Sequence, residues 1–246
     1  MQEYRADLHL HTVLSPCGDL EMSPVNLIQK AKERGLNILG ITDHNSTLHA
    51  PLIKELGDRE GILVLMGAEV STREEVHCLC FFEEEEELAQ FQVFLDRNLP
   101  QIPNDVDRFG YQVVVDEEDN ILKEVDCLLI SGLKAGINEI EQKVHSLNGL
   151  FIPAHIDKKV NSISSQLGFV PPDLKVDALE LSPHVTKEEY LRKYGYLKNH
   201  VFIQSSDAHY IENIGDAVTR FTLEKLSFEE VRKALAGEGK RKVEIS

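Results

Sequence analysis

Residues 7–11 read DLHLH, a carboxylate and two imidazoles on alternate positions with leucines between them. In an extended strand, residues two apart point the same way, so His9 and His11 can grip one ion. Further candidates are spread along the chain: Asp43 and His44 in GITDHN, Glu69 in GAEV, His77 in VHCLC, His155 in LFIPAH, and Asp207 and His209 in SSDAH. Imidazole and carboxylate are donors that suit zinc, iron and manganese alike. Clustered ions of this kind hold phosphate oxygens, lower the pKa of bound water and stabilise in-line displacement. A lone histidine near a strand end is more often a hydrogen-bonded structural residue. So many titratable groups on one face, however, carry a desolvation cost that metal ions offset.

Such residues need a frame that brings strand ends together, and the patterning predicts one. Strands are expected at YRADLHL, LNILGIT, ILVLMGAEV, EVHCLCFF, LFIPAH, VDALELS, HVFIQSSD and VTRFTLE. Helices are expected between most of them. SPVNLIQKAKERG carries Ser23 as N-cap, Pro24 in the first helical position and Gly35 as the stop. Repeated β-α units argue for a parallel sheet, most naturally closed as a barrel, whose C-terminal strand ends form one functional face. The candidate residues fall at those ends. Residues 98–136 depart from the pattern and are expected to form a small excursion or lid on a single domain covering 1–246.

Composition bounds the partners. The net charge is −16, and the lysines are scattered apart from GKRK near the C-terminus. Phosphate contacts dominate nucleic acid affinity and usually show as a basic stripe, so long nucleic acid is not the expected partner. No apolar run is long enough to cross a bilayer, and the first residues carry no basic-then-apolar signal, so a cytoplasmic location is expected. The four cysteines, Cys17, Cys78, Cys80 and Cys127, show no paired CxxC spacing and are expected as thiols, with Cys78 and Cys80 packed in the interior.

Taken in order, DLHLH, TDHN, GAEV with PAH, and SSDAH resemble the motifs of the PHP (polymerase and histidinol phosphatase) superfamily, from residue 6 to about 210. The resemblance implies a distorted seven-stranded (β/α) TIM-like barrel, with the excursion between its fourth and fifth strands. It also implies two to three divalent ions: zinc, manganese or iron. His9, His11, Glu69 and Asp207 would hold one. Glu69 would bridge to a second, completed by His77 and His155. His44 and His209 would hold a third, with Asp19 as the acidic partner from the loop after the first motif. That loop, LSPCGDLEMSP, departs from the compact SDG of many relatives, and AHID stands where many have His-Pro.

Asp7 and Asp43 are expected to support ligand histidines by accepting their second N–H. Substrate phosphate calls for a further cation, for which Arg73, Lys158, Lys159 and His184 are candidates, with His184 also a candidate acid for the leaving group. The expected activity is hydrolysis of a small phosphoester, such as a nucleotide or a sugar or amino-alcohol phosphate, by metal-activated water. The alternatives are an exonuclease acting on short nucleic acid and a non-catalytic metal-binding regulatory domain. Oligomeric state is not legible in the chain.

Overall fold

The structure is a computed structural model that describes residues 1–245. The first half runs β1 (Gln2–Leu10), α1 (Pro24–Glu33), β2 (Ile38–Ile41), α2 (Ala50–Glu60), β3 (Leu63–Ser71), β4 (His77–Phe82) and α3 (Glu85–Asn98). A short helix, α4 (Val106–Phe109), precedes the hairpin of β5 (Val113–Val115) and β6 (Ile121–Glu124). The second half runs α5 (Ile137–Ser146), β7 (Leu150–Pro153), α6 (Ile163–Gln166), β8 (Leu179–Leu181), α7 (Lys187–Lys193), β9 (Phe202–Gln204), β10 (Thr219–Leu223), α8 (Phe228–Leu235) and β11 (Lys242–Glu244).

Seven strands form one sheet in the order β11-β10-β1-β2-β3-β4-β7, while β8-β9 and β5-β6 pair separately. The sheet curls into a half-barrel. The β8-β9 pair bridges its two sides at the rim: Ile156 N–H donates to Glu180 O at 2.8 Å, and His11 N–H donates to Ala208 O at 3.1 Å. Gly40 sits where β1 passes close by, since a Cβ there would stand 2.4 Å from Leu8 O.

The expected parallel order holds for β1-β2-β3 and for β8-β9, but β4 runs antiparallel to both β3 and β7, and β10 antiparallel to β1. Loop length is the reason. Only residues 72–76 join β3 to β4, far too few for a helical crossover, so the chain must turn back as a hairpin. This reversal puts His77, the first residue of β4, opposite Ser71 at the end of β3, on the same rim as the strand ends.

Alternation along the strands sorts side chains onto two faces. Leu65 of β3, Leu79 of β4 and Ile152 of β7 belong to one apolar cluster, while Val64, Met66, Cys78, Cys80 and Phe151 belong to the other. Cys78 and Cys80 are therefore packed thiols, as expected. Glu69 and His77 continue the Leu65 and Leu79 face up to the rim. Residues 98–136 hold the β5-β6 hairpin, tied back where Val113 N–H donates to Val13 O at 3.4 Å.

Candidate metal centre

The rim gathers seven of the ten histidines into one contact network with Glu69 at its middle. Glu69 Oε1 lies 2.9 Å from His77 Nδ1, 3.1 Å from His155 Nε2 and 3.3 Å from His9 Nε2. Its Oε2 lies 3.1 Å from His44 Nδ1 and 3.4 Å from His11 Nε2. Asp207 Oδ1 stands 3.4 Å from His9 Nε2 and 3.5 Å from His11 Nε2. His9, His11, Asp43, His44, Glu69 and His155 are all buried. The strand ends bring together every histidine the sequence pointed to except His184, and His49 adds a seventh buried behind them.

His9 and His11 are each aimed by a partner behind them. His9 Nδ1 meets Glu180 Oε2 at 3.0 Å, and that oxygen also accepts the His155 N–H at 3.0 Å. With Nδ1–H donated to Glu180, a neutral His9 would turn its Nε2 lone pair toward Glu69 and Asp207. His11 Nδ1 meets Ser15 Oγ at 3.0 Å, and Ser15 Oγ–H donates to Asp43 Oδ1 at 2.7 Å. Asp43 thus reaches His11 through a serine. It also accepts the Thr12 N–H at 2.7 Å and the Thr12 hydroxyl at 2.8 Å. His49 extends this network: its Nδ1 lies 2.6 Å from Thr12 Oγ1, and its Nε2 accepts the Val115 N–H at 2.8 Å. Burial holds His49 below the usual imidazole range, so it stays neutral, as this accepting role requires.

Backbone conformation concentrates here as well. Asn45, His155 and Asp207 have φ of 47°, 30° and 55°, a region non-glycine residues enter only when the surroundings hold them there. Asn45 is held by its side chain, which accepts the Ser71 N–H at 3.0 Å and donates to Leu129 O at 2.6 Å and Ser131 O at 2.9 Å. One side chain so fastens β3 and the 98–136 segment to the rim.

The donor set fits divalent ions. One atom each from His9, His11 and Glu69 lie within 4.8 Å of one another, as do one each from His44, Glu69 and His77, and one each from His11, Cys17, His44 and His209. His44 Nδ1 and His155 Nδ1 are buried without hydrogen-bond partners. The local field is anionic. Burial opposes ionisation of Glu69, but His77, His9 and His44 outweigh it and hold the carboxyl well below the usual range. Burial likewise opposes a charge on His9, yet Glu180, Asp207 and Glu69 raise its pKa. Burial, then His11, lower His209 to about 4, which keeps its ring neutral and available as a donor. A cation among these groups meets carboxylates on several sides and neutral imidazoles between them.

Several expected roles move. Asp7 does not stand behind a ligand histidine: its carboxylate accepts from Ser206 N–H at 3.0 Å, Ser206 Oγ–H at 2.6 Å and Gly215 N–H at 2.8 Å, and so anchors the loop that carries Asp207 and His209. The place behind His9 belongs to Glu180, which no spacing in the sequence connects to it. Asp19 is outside the donor groups: its Oδ1 accepts the Glu21 N–H at 2.9 Å, while Cys17 of the same loop sits beside His11, His44 and His209. Arg73 is directed away from the centre, with its guanidinium 3.3 Å from Glu74 Oε1. Lys158 is the cation the rim brings inward, ion-paired with Asp207 Oδ2. His184 is exposed and lines a cleft of about 590 Å³ with Lys158, Lys159, Lys193 and Tyr194.

A family model described as "PHP domain" matches residues 7–194, and one described as "PHP-associated" matches residues 189–238. The Bacillus subtilis (strain 168) protein YqxK, itself uncharacterised, is 24% identical over an alignment covering 99% of this chain and 64% of YqxK. Among solved structures, the lesion-specific endonuclease PfuEndoQ from Pyrococcus furiosus superposes with a TM-score of 0.72 at 21% identity, covering 98% of this chain and 58% of that one. An endonuclease Q complex with a 27-mer duplex bearing an abasic lesion at its active site superposes with a TM-score of 0.66 at 21% identity and the same coverage. This chain thus spans less than two thirds of the length of each of these relatives. The expectation of a small phosphorylated substrate and no long nucleic acid is overturned by that complex, in which a protein sharing this fold over 58% of its length has a duplex as substrate. Net charge sums the whole surface, whereas a duplex meets one face, and the cleft beside this centre carries Lys158, Lys159 and Lys193 together with Asp157 and Glu189. The expected location rested on composition; among the described residues no helix is long and apolar enough to cross a membrane.

Proposed function

The chain belongs to the PHP domain family, and on that premise we propose that it is a metal-dependent hydrolase of phosphodiester bonds in nucleic acid. The observation that carries the proposal is the position of Glu69, whose two carboxylate oxygens face five histidines from four different chain segments. A carboxylate so placed can be shared between neighbouring ions. The resemblance of the fold to a nuclease with duplex at its active site supports nucleic acid as the substrate class.

In this reading His9, His11, Glu69 and Asp207 hold one ion, Glu69, His77 and His155 a second, and His44 and His209 take part in a third position. Bound divalent ions supply Lewis acidity toward the phosphate and a nucleophile at neutral pH. The chain's own groups do the rest. Glu180 and the Ser15–Asp43 pair fix the ring orientations of His9 and His11, so no reorganisation is needed as charge builds. Lys158 stands at the mouth, where its ammonium meets a phosphate oxygen entering beside Asp207. The cleft lined by Lys159, His184 and Lys193 continues from it and receives the strand flanking the scissile bond.

The test is cleavage of an end-labelled duplex, with and without an abasic site, by protein stripped with a chelator and then restored with manganese or zinc. Restored protein is expected to cut and stripped protein to be inert. Full metal occupancy with every duplex and single strand intact would remove the proposal.

A further inference from the structure

The loop after β1 has a feature that the family pattern did not anticipate. Its acidic residue, Asp19, turns back on Glu21, and the side chain that reaches the histidines is Cys17. The loop is built to deliver that thiol. Ser15 N–H donates to Thr12 O at 3.0 Å, Gly18 N–H to Ser15 O at 2.8 Å and Asp19 N–H to His209 O at 2.8 Å, so the chain folds tightly back against the loop carrying His209. Gly18 permits the turn, because a Cβ there would lie 2.3 Å from Thr12 O.

The donors grouped here are His11, Cys17, His44 and His209, and Cys17 is the one among them with no other role at the rim. His11 Nδ1 is engaged by Ser15, and its Nε2 stands 3.3 Å from His9 Nε2, so its free nitrogen belongs with His9. His44 and His209 remain, and His44 Nδ1 is buried without a hydrogen-bond partner. The other thiols are elsewhere: Cys78 and Cys80 are in the core, and Cys127 donates to Gln101 Oε1 at 3.4 Å.

We propose that Cys17, as a thiolate, ligates the third ion together with His44 and His209, and that this position therefore selects a borderline-soft ion such as zinc over manganese or magnesium. The inference rests on the metal-centre reading of the rim. On binding, the thiol proton leaves to solvent and a metal–sulfur bond forms, with no redox change. Two imidazoles and a thiolate leave a fourth tetrahedral position open, the pattern of a zinc site that takes part in chemistry. The other two positions, built from imidazole and carboxylate, have no such preference. The centre is thus chemically unequal.

The experiment is cobalt(II) titration of chelator-stripped protein, read by absorption. Wild type is expected to show a sulfur-to-cobalt charge-transfer band in the near ultraviolet that saturates at one equivalent per chain. Zinc should abolish the band and manganese leave it. Cys17→Ser should lose the band while keeping the visible cobalt bands of the remaining positions, which also reports that it is folded; Asp19→Asn should keep both. Wild type that binds cobalt without the charge-transfer band, or binds none, overturns the assignment, as does a band that survives in Cys17→Ser. Loss of one equivalent of bound metal in Asp19→Asn but not in Cys17→Ser returns the position to the acid and overturns it too. The readout needs no turnover, so a protein that shows the band yet cuts nothing refutes the proposed activity alone, and one that cuts without the band refutes the thiolate alone.

Discussion

At the scale of single residues, two buried carboxylates that a sequence reader treats alike have separate tasks. Glu180 touches His9, whereas Asp7 touches the loop at Ser206 and Gly215. Glu180→Gln is expected to keep the fold and weaken metal binding about 10- to 100-fold, because a neutral amide holds the His9 Nδ1 proton, and so its tautomer, more weakly than a carboxylate. Asp7→Asn is expected to lower stability by about 1–3 kcal/mol in metal-free protein, since one of the two acceptor oxygens becomes an NH2 facing buried donors. Metal titration and denaturant midpoints of the two variants separate these effects; matching profiles would contradict the division. Part of the candidate set was legible because its spacing is local: His9 and His11 two apart at the end of β1, Asp207 and His209 in one loop. Glu180 was not, since 171 positions separate it from His9 and only folding joins them. Cys17 was missed for another reason. The pattern called for an acid in that loop, and whether Cys17 or Asp19 faces inward depends on a turn that composition does not fix.

At the scale of elements, the strands and helices followed from hydrophobic alternation and helix stops, while pairing direction did not. Repeated β-α units pointed to a parallel sheet, and the five-residue link before β4 reversed the chain instead. The same reversal delivers His77 to the rim. Away from the centre, α5 is fixed to the sheet by His145, whose Nδ1 lies 2.6 Å from Glu141 Oε1 and whose Nε2 lies 3.0 Å from Asp177 Oδ2. The Asp177 hydrogen bond, aided by Glu141 and opposed by burial, raises the His145 pKa. A raised folded-state pKa gives stabilisation that is fully present below the unfolded value of about 6.5 and is lost as pH rises through the folded value. Wild type should therefore lose thermal stability between about pH 6 and about pH 8 by more than Asp177→Asn does. Asparagine keeps an acceptor for the Phe151 N–H, which Asp177 Oδ2 now holds at 2.7 Å. Parallel melting curves for the two proteins across that range would show that His145 contributes nothing.

At the scale of the whole molecule, an acidic chain carries an anionic pocket beside a cleft in which Lys158, Lys159 and Lys193 stand with Asp157 and Glu189. The net charge of −16 opposes a polyanion at long range, but salt screens that repulsion within about 10 Å at 0.1 M. In the proposed reading, divalent ions at the rim and Lys158, Lys159 and Lys193 would act inside that distance. The rim therefore concentrates in a few residues what the rest of the surface does not offer, and a duplex is engaged there or not at all. Every part of this account passes through Glu69, the one carboxylate that faces both sides of the centre. The most direct measurement is the cleavage rate of an end-labelled abasic duplex by Glu69→Gln beside wild type, with metal content determined on the same samples. The substitution keeps the side chain's shape and removes its charge. Loss of bound metal together with a fall in rate of about a thousandfold or more is the predicted result. Cleavage at the wild-type rate, with metal content unchanged, would contradict the account.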